Sequence, residues 1–160
     1  MSSASRTASI LAGAIGALVF FGGWMLGIEP LKSAGAGITM KANAALGLLL
    51  GAVSLWFVGS ESRPGRRIGI SCAALLGLLG AATLSQHVAG GDLGIDQLFF
   101  VEPPGAAATA SPNRMGPNAS LSFLLHSAAL ILLHRSAARG IAHAQVISSG
   151  AIKEAATRPE

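Results

Sequence analysis

Leu26-Gly27-Ile28-Glu29-Pro30-Leu31 returns as Leu93-Gly94-Ile95-Asp96-Gln97-Leu98. Met40-Lys41-Ala42-Asn43-Ala44-Ala45-Leu46 returns as Met115-Gly116-Pro117-Asn118-Ala119-Ser120-Leu121. The first pair is offset by 67 residues and the second by 75, so the second copy holds eight extra residues between its two motifs. Each motif pair lies between two apolar runs. Self-similarity of this kind marks a repeated supersecondary unit, and the unit here is a helical hairpin. The repeated part includes the connection, where function is commonly carried.

Outward from these loops, the chain is unlike a water-soluble domain. Of its 160 residues 51% are apolar and 11% are charged, against about 25% charged in soluble domains. Four apolar stretches read as spans: Ser9–Ile28, Ala42–Gly59, Ile68–Ala89 and Asn118–His134. Each approaches the roughly 20 residues a helix needs to cross the hydrocarbon core. The predicted fold is therefore all-α, an integral membrane four-helix bundle of two hairpins repeated in parallel. Residues 1–67 form the first hairpin, 68–135 the second, and 136–160 a cytoplasmic tail. The N-terminal run has Arg6 before it and small residues, Ala34-Gly35-Ala36, after it, as a signal peptide would. It exceeds the usual apolar core of about 7–15 residues and has a repeat partner in the third span, so it reads as a span.

The net charge of +4 does not indicate nucleic acid, because the basic residues flank apolar runs and form no stripe. They act as topology signals. Eight of them (Arg6, Arg63, Arg66, Arg67, Arg135, Arg139, Lys153, Arg158) lie at the termini and the central turn, and three (Lys32, Lys41, Arg114) in the motif loops. The positive-inside rule places both termini in the cytoplasm of a multi-pass protein of the inner (plasma) membrane. Both motif loops then face outward.

Within the third span, Gly69, Ala73, Gly77, Ala81 and Ser85 recur at four-residue spacing, and the second span carries Gly47 and Gly51. Such stripes let helices approach closely, either inside the bundle or at a homodimer seam. Cys72, the one cysteine, reads as a small packing residue.

The candidate signal or ligand residues are Glu29, Lys41, Asn43, Asp96, Arg114 and Asn118. Asn43 and Asn118 precede apolar helices in both copies and suit N-caps; direct ligand contact is the alternative. Glu29 and Asp96 follow the outer ends of the first and third spans, where the helix dipole disfavours an acid. They call for partners among Lys32, Lys41 and Arg114. Either these groups pin the loops as ion pairs, or they face a polar pocket between the repeats. Segment Asp92–Val101 is amphipathic and is expected to lie on the membrane surface or to pack over the bundle mouth. Glu102–Asn113, rich in Pro, Ala, Gly and Ser, reads as a flexible loop.

His126 falls mid-span, and an intramembrane ionisable residue is a functional hypothesis by default. With no carboxylate in the spans and no histidine four residues away, it is expected to be hydrogen-bonded inside the bundle. No metal or cofactor site is assigned. No nucleophile–base pair, phosphate loop or metal spacing is present in the sequence, so the reading is non-enzymatic.

The phrases Leu26–Lys32, Thr39–Asn43, Asp92–Leu98 and Arg114–Asn118 together resemble the N-terminal membrane region of certain bacterial sensor histidine kinases and related cyclic-di-nucleotide signalling proteins. The resemblance covers about residues 23–133. It implies a sensory input module whose partner is a kinase or cyclase output unit, and it supplies no ligand. Only about 25 residues follow Arg135, without kinase or cyclase motifs. The expectation is a truncated or stand-alone input module that acts on a separate output protein. A small oligomeric transporter or channel, or an accessory membrane subunit, is the alternative.

Overall fold

The structure is a computed structural model that describes residues 3–33, 39–102 and 111–156. The Ala34–Ala36 site, and most of the loop expected between Glu102 and Asn113, lie outside the described residues. The described chain is helical, with no strand among the described residues. Helix α1 (Ser3–Ala17) continues as a π-helical stretch, Leu18–Met25. A single turn, α2 (Glu29–Lys32), leads to α3 (Ala42–Trp56), α4 (Arg63–Ala89) and α5 (Pro117–Ala156).

Three of these are long and apolar enough to cross a membrane: Ser3–Met25, Arg63–Ala89 and Pro117–His143, of mean hydropathy 1.8, 1.9 and 1.3. Helix α3 is apolar but only 15 residues long, about 22 Å at 1.5 Å per residue. That is short of a core about 30 Å thick. Leu11, Leu18, Leu78, Leu125 and Leu132 are each more than half exposed. Side chains of this kind on long helices have a suitable environment only in lipid. The chain is a membrane protein.

Helix α1 packs on α3, α3 on α4, and α4 on α5 along its length; α3 also touches α5. No close backbone approach joins α1 to α4 or α5. Small residues make these seams. A Cβ on Gly16 would meet the Ala45 carbonyl at 2.9 Å, and one on Gly80 the Ser120 carbonyl at 2.7 Å. The stripe on α4 is thus used inside the fold: Gly69, Ala73 and Gly77 are buried, and Ala81 and Ser85 are exposed. Four-residue steps drift around a helix of 3.6 residues per turn, so the buried line passes instead to Gly80, Thr83 and Gln86. Two hydroxyls also stitch the hairpins. Ser9 Oγ donates to the Ala52 carbonyl and Ser127 Oγ to the Ala73 carbonyl, both at 2.7 Å.

The π-helical stretch closes its end through Leu26 N–H to the Phe21 carbonyl at 2.9 Å. Gly22 and Gly23 lie in it, and the side chains of Leu31 and Lys32 come down on them. The wider turn therefore seats α2 against the end of the first span. Phe20 and Trp24 form a small core with Ala42 and Ala45, and Phe100 from the second hairpin packs against it. Both motif loops thus lie at one end of the molecule, and the hairpins are parallel.

The expectation for His126 is met by another residue. His134 is 2% exposed, and its Nε2 lies 3.2 Å from Ser54 Oγ on α3, above Gly69 of α4. His126 is exposed and has no hydrogen-bond partner among the described residues. The difference is one of helix face. His134 is eight residues beyond His126, about 80° further round at 100° per residue, and that turns it into the α3–α4–α5 junction.

Candidate functional site

Most polar residues of the motif end fall into two clusters, each built round a buried ion pair. The first joins the hairpins. Lys41 precedes α3 and is 7% exposed; its Nζ lies 2.7 Å and 2.9 Å from the two carboxylate oxygens of Glu102, itself 6% exposed. Thr39 Oγ1 donates to Glu102 Oε1 at 3.3 Å and accepts from Lys41 at 3.2 Å. The Asn113 N–H donates to Glu102 Oε2 at 2.5 Å. Burial raises the Glu102 pKa. The Lys41 ammonium, with the Asn113 amide and the Thr39 hydroxyl, outweighs it and holds the carboxyl below the ordinary carboxylate value.

Asn113 completes this cluster. It is fully buried and sits at φ 57°, the only positive-φ residue other than glycine among those described. Asparagine visits the left-handed region more readily than other side-chain-bearing residues. That conformation lets its Oδ1 accept the Ala42 N–H at 3.1 Å while its Nδ2 donates to the Phe100 carbonyl at 3.0 Å. The first helical N–H of α3 is therefore capped by a side chain from the other hairpin.

The second cluster stays within the second hairpin. Arg114, 8% exposed, donates from Nε to Asp96 Oδ2 at 2.6 Å. Its Nη2 reaches Gln86 Oε1 at 3.1 Å and Asp92 Oδ1 at 3.3 Å. Gln86, on the last turns of α4, donates to Asp96 Oδ2 at 3.1 Å and accepts the Leu93 N–H at 2.7 Å. Asp96 is only 4% exposed, and its Oδ1 is buried without a hydrogen-bond partner among the described residues, as is Thr83 Oγ1. An unsatisfied buried oxygen costs roughly 1–3 kcal/mol, and more when charged. This knot is consequently less well satisfied than the Lys41 cluster.

A ring nitrogen holds the backbone beside the methionine in each copy. Trp24 Nε1 donates to the Met40 carbonyl at 2.9 Å, and His87 Nε2 lies 2.9 Å from the Met115 carbonyl.

The six sequence candidates are thus divided. Lys41, Asp96 and Arg114 are buried in the clusters. Asn43 is 1% exposed, and its amide donates to the Ile95 carbonyl at 3.4 Å. It does not cap α3, whose N-cap residue is Lys41. Asn118 does not cap α5 either; it is an exposed second residue of that helix, which begins at Pro117. In both copies the helix starts two residues earlier than a capping asparagine requires. Glu29 is 73% exposed and pairs with Lys32 at 2.6 Å, and Lys32 also lies 4.6 Å over the Trp24 ring. Glu29 therefore stands apart from the buried clusters. Segment Asp92–Val101 is a series of turns, held over the first hairpin by Phe100, with Leu93, Leu98 and Val101 largely exposed.

Sequence reasoning passed over Gln86, Glu102 and Asn113. Each carried a signal: Gln86 is an amide inside an apolar run, Glu102 is the one acid in the extra segment of the second copy, and Asn113 adjoins Arg114. Among the described residues no group of His, Cys, Asp and Glu could hold a metal ion. The clusters contain no nucleophile set against a base. Their evident work is to lock loops. The chain matches no family model, no curated protein and no solved structure.

Proposed function

We propose that the chain is a non-enzymatic input module of a membrane signalling system. In this reading the helices form a four-helix bundle with both termini in the cytoplasm, and the motif end faces out. One observation carries the proposal. Helix α5 is unbroken from Pro117 to Ala156, about 60 Å at 1.5 Å per residue, or roughly twice the hydrocarbon thickness. Its first residue follows Arg114 by only three. A movement of the Arg114–Asp96 knot is therefore carried rigidly along α5 to the opposite face, where a kinase or cyclase would read it.

The incompletely satisfied Asp96 supports this assignment. A switch needs an element with two arrangements close in free energy, and a buried carboxylate with one idle oxygen lies high in its present arrangement. The Lys41–Glu102–Asn113 cluster is the fixed anchor against which the knot moves.

The test joins the end of α5 to a reporter kinase in phase with its own helix. Asp96→Asn and Arg114→Gln should shift basal output in the same direction, and two glycines inserted after Arg139 should uncouple it. If the glycine insertion leaves the response to Asp96→Asn unchanged, α5 is not the relay. Orientation is read separately, with single cysteines replacing Gln97 or Glu61 in a Cys72→Ala background. An impermeant thiol reagent should label position 97 in intact cells and position 61 only after permeabilisation.

A further inference from the structure

The parallel repeat relates α1 to α4 and α3 to α5. The seam between α3 and α4 therefore has a counterpart between α5 and α1. The first is packed and the second is open. In the open seam lies a cavity of about 160 Å³, lined by Ala12 of α1, Gly47, Gly51 and Leu55 of α3, and Phe123 and His126 of α5. Ser122 also lines it.

His126 distinguishes this cleft from a lipid groove. It is the tenth residue of α5, so it lies about 14 Å from the helix start, near the middle of a core about 30 Å thick. It is exposed there, without a hydrogen-bond partner among the described residues. An uncharged imidazole offers one N–H donor and one bare nitrogen acceptor, and neither finds a partner in hydrocarbon. Ser122, one turn away on the same face, donates to the Asn118 carbonyl at 2.8 Å and keeps its oxygen as an acceptor. Phospholipid esters and headgroups sit at the interface, too far out to reach this depth. A further helix, about 10 Å across, is far larger than the space. A cavity of about 150 Å³ accepts one benzene-sized ring.

We propose that this cleft binds the ring of a membrane-soluble quinone or quinol. The ring lies between Ala12 and Phe123, and its alkyl tail runs out between α1 and α5 into lipid. His126 donates to a quinone carbonyl, or accepts from a quinol hydroxyl with Ser122 as a second acceptor. The step is binding alone, with no electron transfer. It does not depend on the relay reading, since the cleft lies away from the motif-end clusters.

The experiment uses the whole chain in phospholipid nanodiscs with a photoreactive decyl-benzoquinone. Cross-linked peptides are mapped by mass spectrometry, with unlabelled decyl-benzoquinone as competitor. Adducts are expected on the α1, α3 and α5 walls of the cleft, lost on competition. His126→Leu should weaken labelling at least tenfold, His126→Gln should restore most of it, and Ala12→Phe should block it by filling the space. Thermal unfolding of each variant establishes that it is folded. Labelling spread evenly over the lipid-facing helices, or undiminished in a folded His126→Leu variant, would overturn the proposal. So would competition by added phospholipid as effective as that by quinone, which would make the cleft a site for acyl chains. Failure of the reporter fusion, by contrast, leaves this binding result standing.

Discussion

The two copies of the motif share a sequence pattern and differ in almost every contact. Asn43 is buried against the other hairpin's Ile95 carbonyl, and its counterpart Asn118 is exposed. Asp96 is buried beneath Arg114, and its counterpart Glu29 is out in solvent with Lys32. The cause is position in the packing order. Helix α3 touches α1, α4 and α5, whereas α5 touches α4 and α3 and, among the described residues, not α1. At the head of α3 Lys41, Ala42 and Asn43 are buried, whereas their counterparts Gly116, Pro117 and Asn118 at the head of α5 are exposed. The longer connection of the second copy supplies one more tie: its Glu102 pairs with Lys41 of the first copy.

The Lys41–Glu102 tie gives the largest expected effect. Removing one partner of a buried ion pair typically costs about 3–5 kcal/mol, because the other charge is left uncompensated. Lys41→Met and Glu102→Gln should each lower the unfolding temperature of the detergent-solubilised protein sharply. The double variant should lose clearly less than the two losses added, the mark of direct coupling. The pair also predicts an acid limb. Glu102 has a folded-state pKa below its ordinary value, so its stabilisation is fully present above the unfolded carboxylate value of about 4.3. It is lost as pH falls through the folded value. Unfolding temperature measured from neutral pH downward should show this loss, and Glu102→Gln should flatten it. An unaltered acid limb would mean that the pair is not formed in solution.

Asn113 comes next. Asn113→Ala removes the cap on α3, worth about 1 kcal/mol, and places alanine in the left-handed region at a further cost of about 1–2 kcal/mol. Asn113→Gly removes the same cap without that backbone cost, so it should be the milder change. Equal losses for the two variants in thermal unfolding would show that φ at this position is not strained.

The asparagine pair tests the comparison most directly. Asn43→Ala removes the amide's bond to the half-buried Ile95 carbonyl, which keeps the Leu98 N–H, and should cost on the order of 1 kcal/mol. Asn118→Ala should leave stability unchanged within error. If the two behave alike, the copies are not placed as differently as the structure shows. The smallest effect is at Glu29. An exposed i,i+3 pair contributes little, so Glu29→Gln should unfold at the wild-type temperature, and a large loss there would point to a contact made only in the membrane.

Much of this was legible in the sequence for simple reasons. Apolar runs of near-spanning length and a sparse, asymmetric charge distribution are local properties, so the helices and their pairing into hairpins could be read directly. Recurrence of the Leu-Gly-Ile motif suggested a repeated hairpin. The need of Asp96 for a cation was readable from its place beyond a helix end, and Arg114 meets it. The equivalence assumed between Glu29 and Asp96, and between Asn43 and Asn118, was not reliable. Identical local patterns carry no information about which copy lies at the centre. His126 and His134 illustrate the same limit, since only the packed faces of α3 and α4 decide which histidine is covered.

The sequence by itself determined a helical membrane protein with a duplicated hairpin and a polar connection at one end. These follow from hydropathy, period and repetition, which act over a few residues at a time. Tertiary structure alone decided that Asn113 caps a helix 71 residues away and that Lys41 meets Glu102 across 61 residues. It also decided that the α5–α1 seam stands open at His126. Those outcomes depend on which hairpin faces which, and that choice is made by the fit of glycine-lined helix surfaces against one another, a property of the assembled chain and of no single stretch of it.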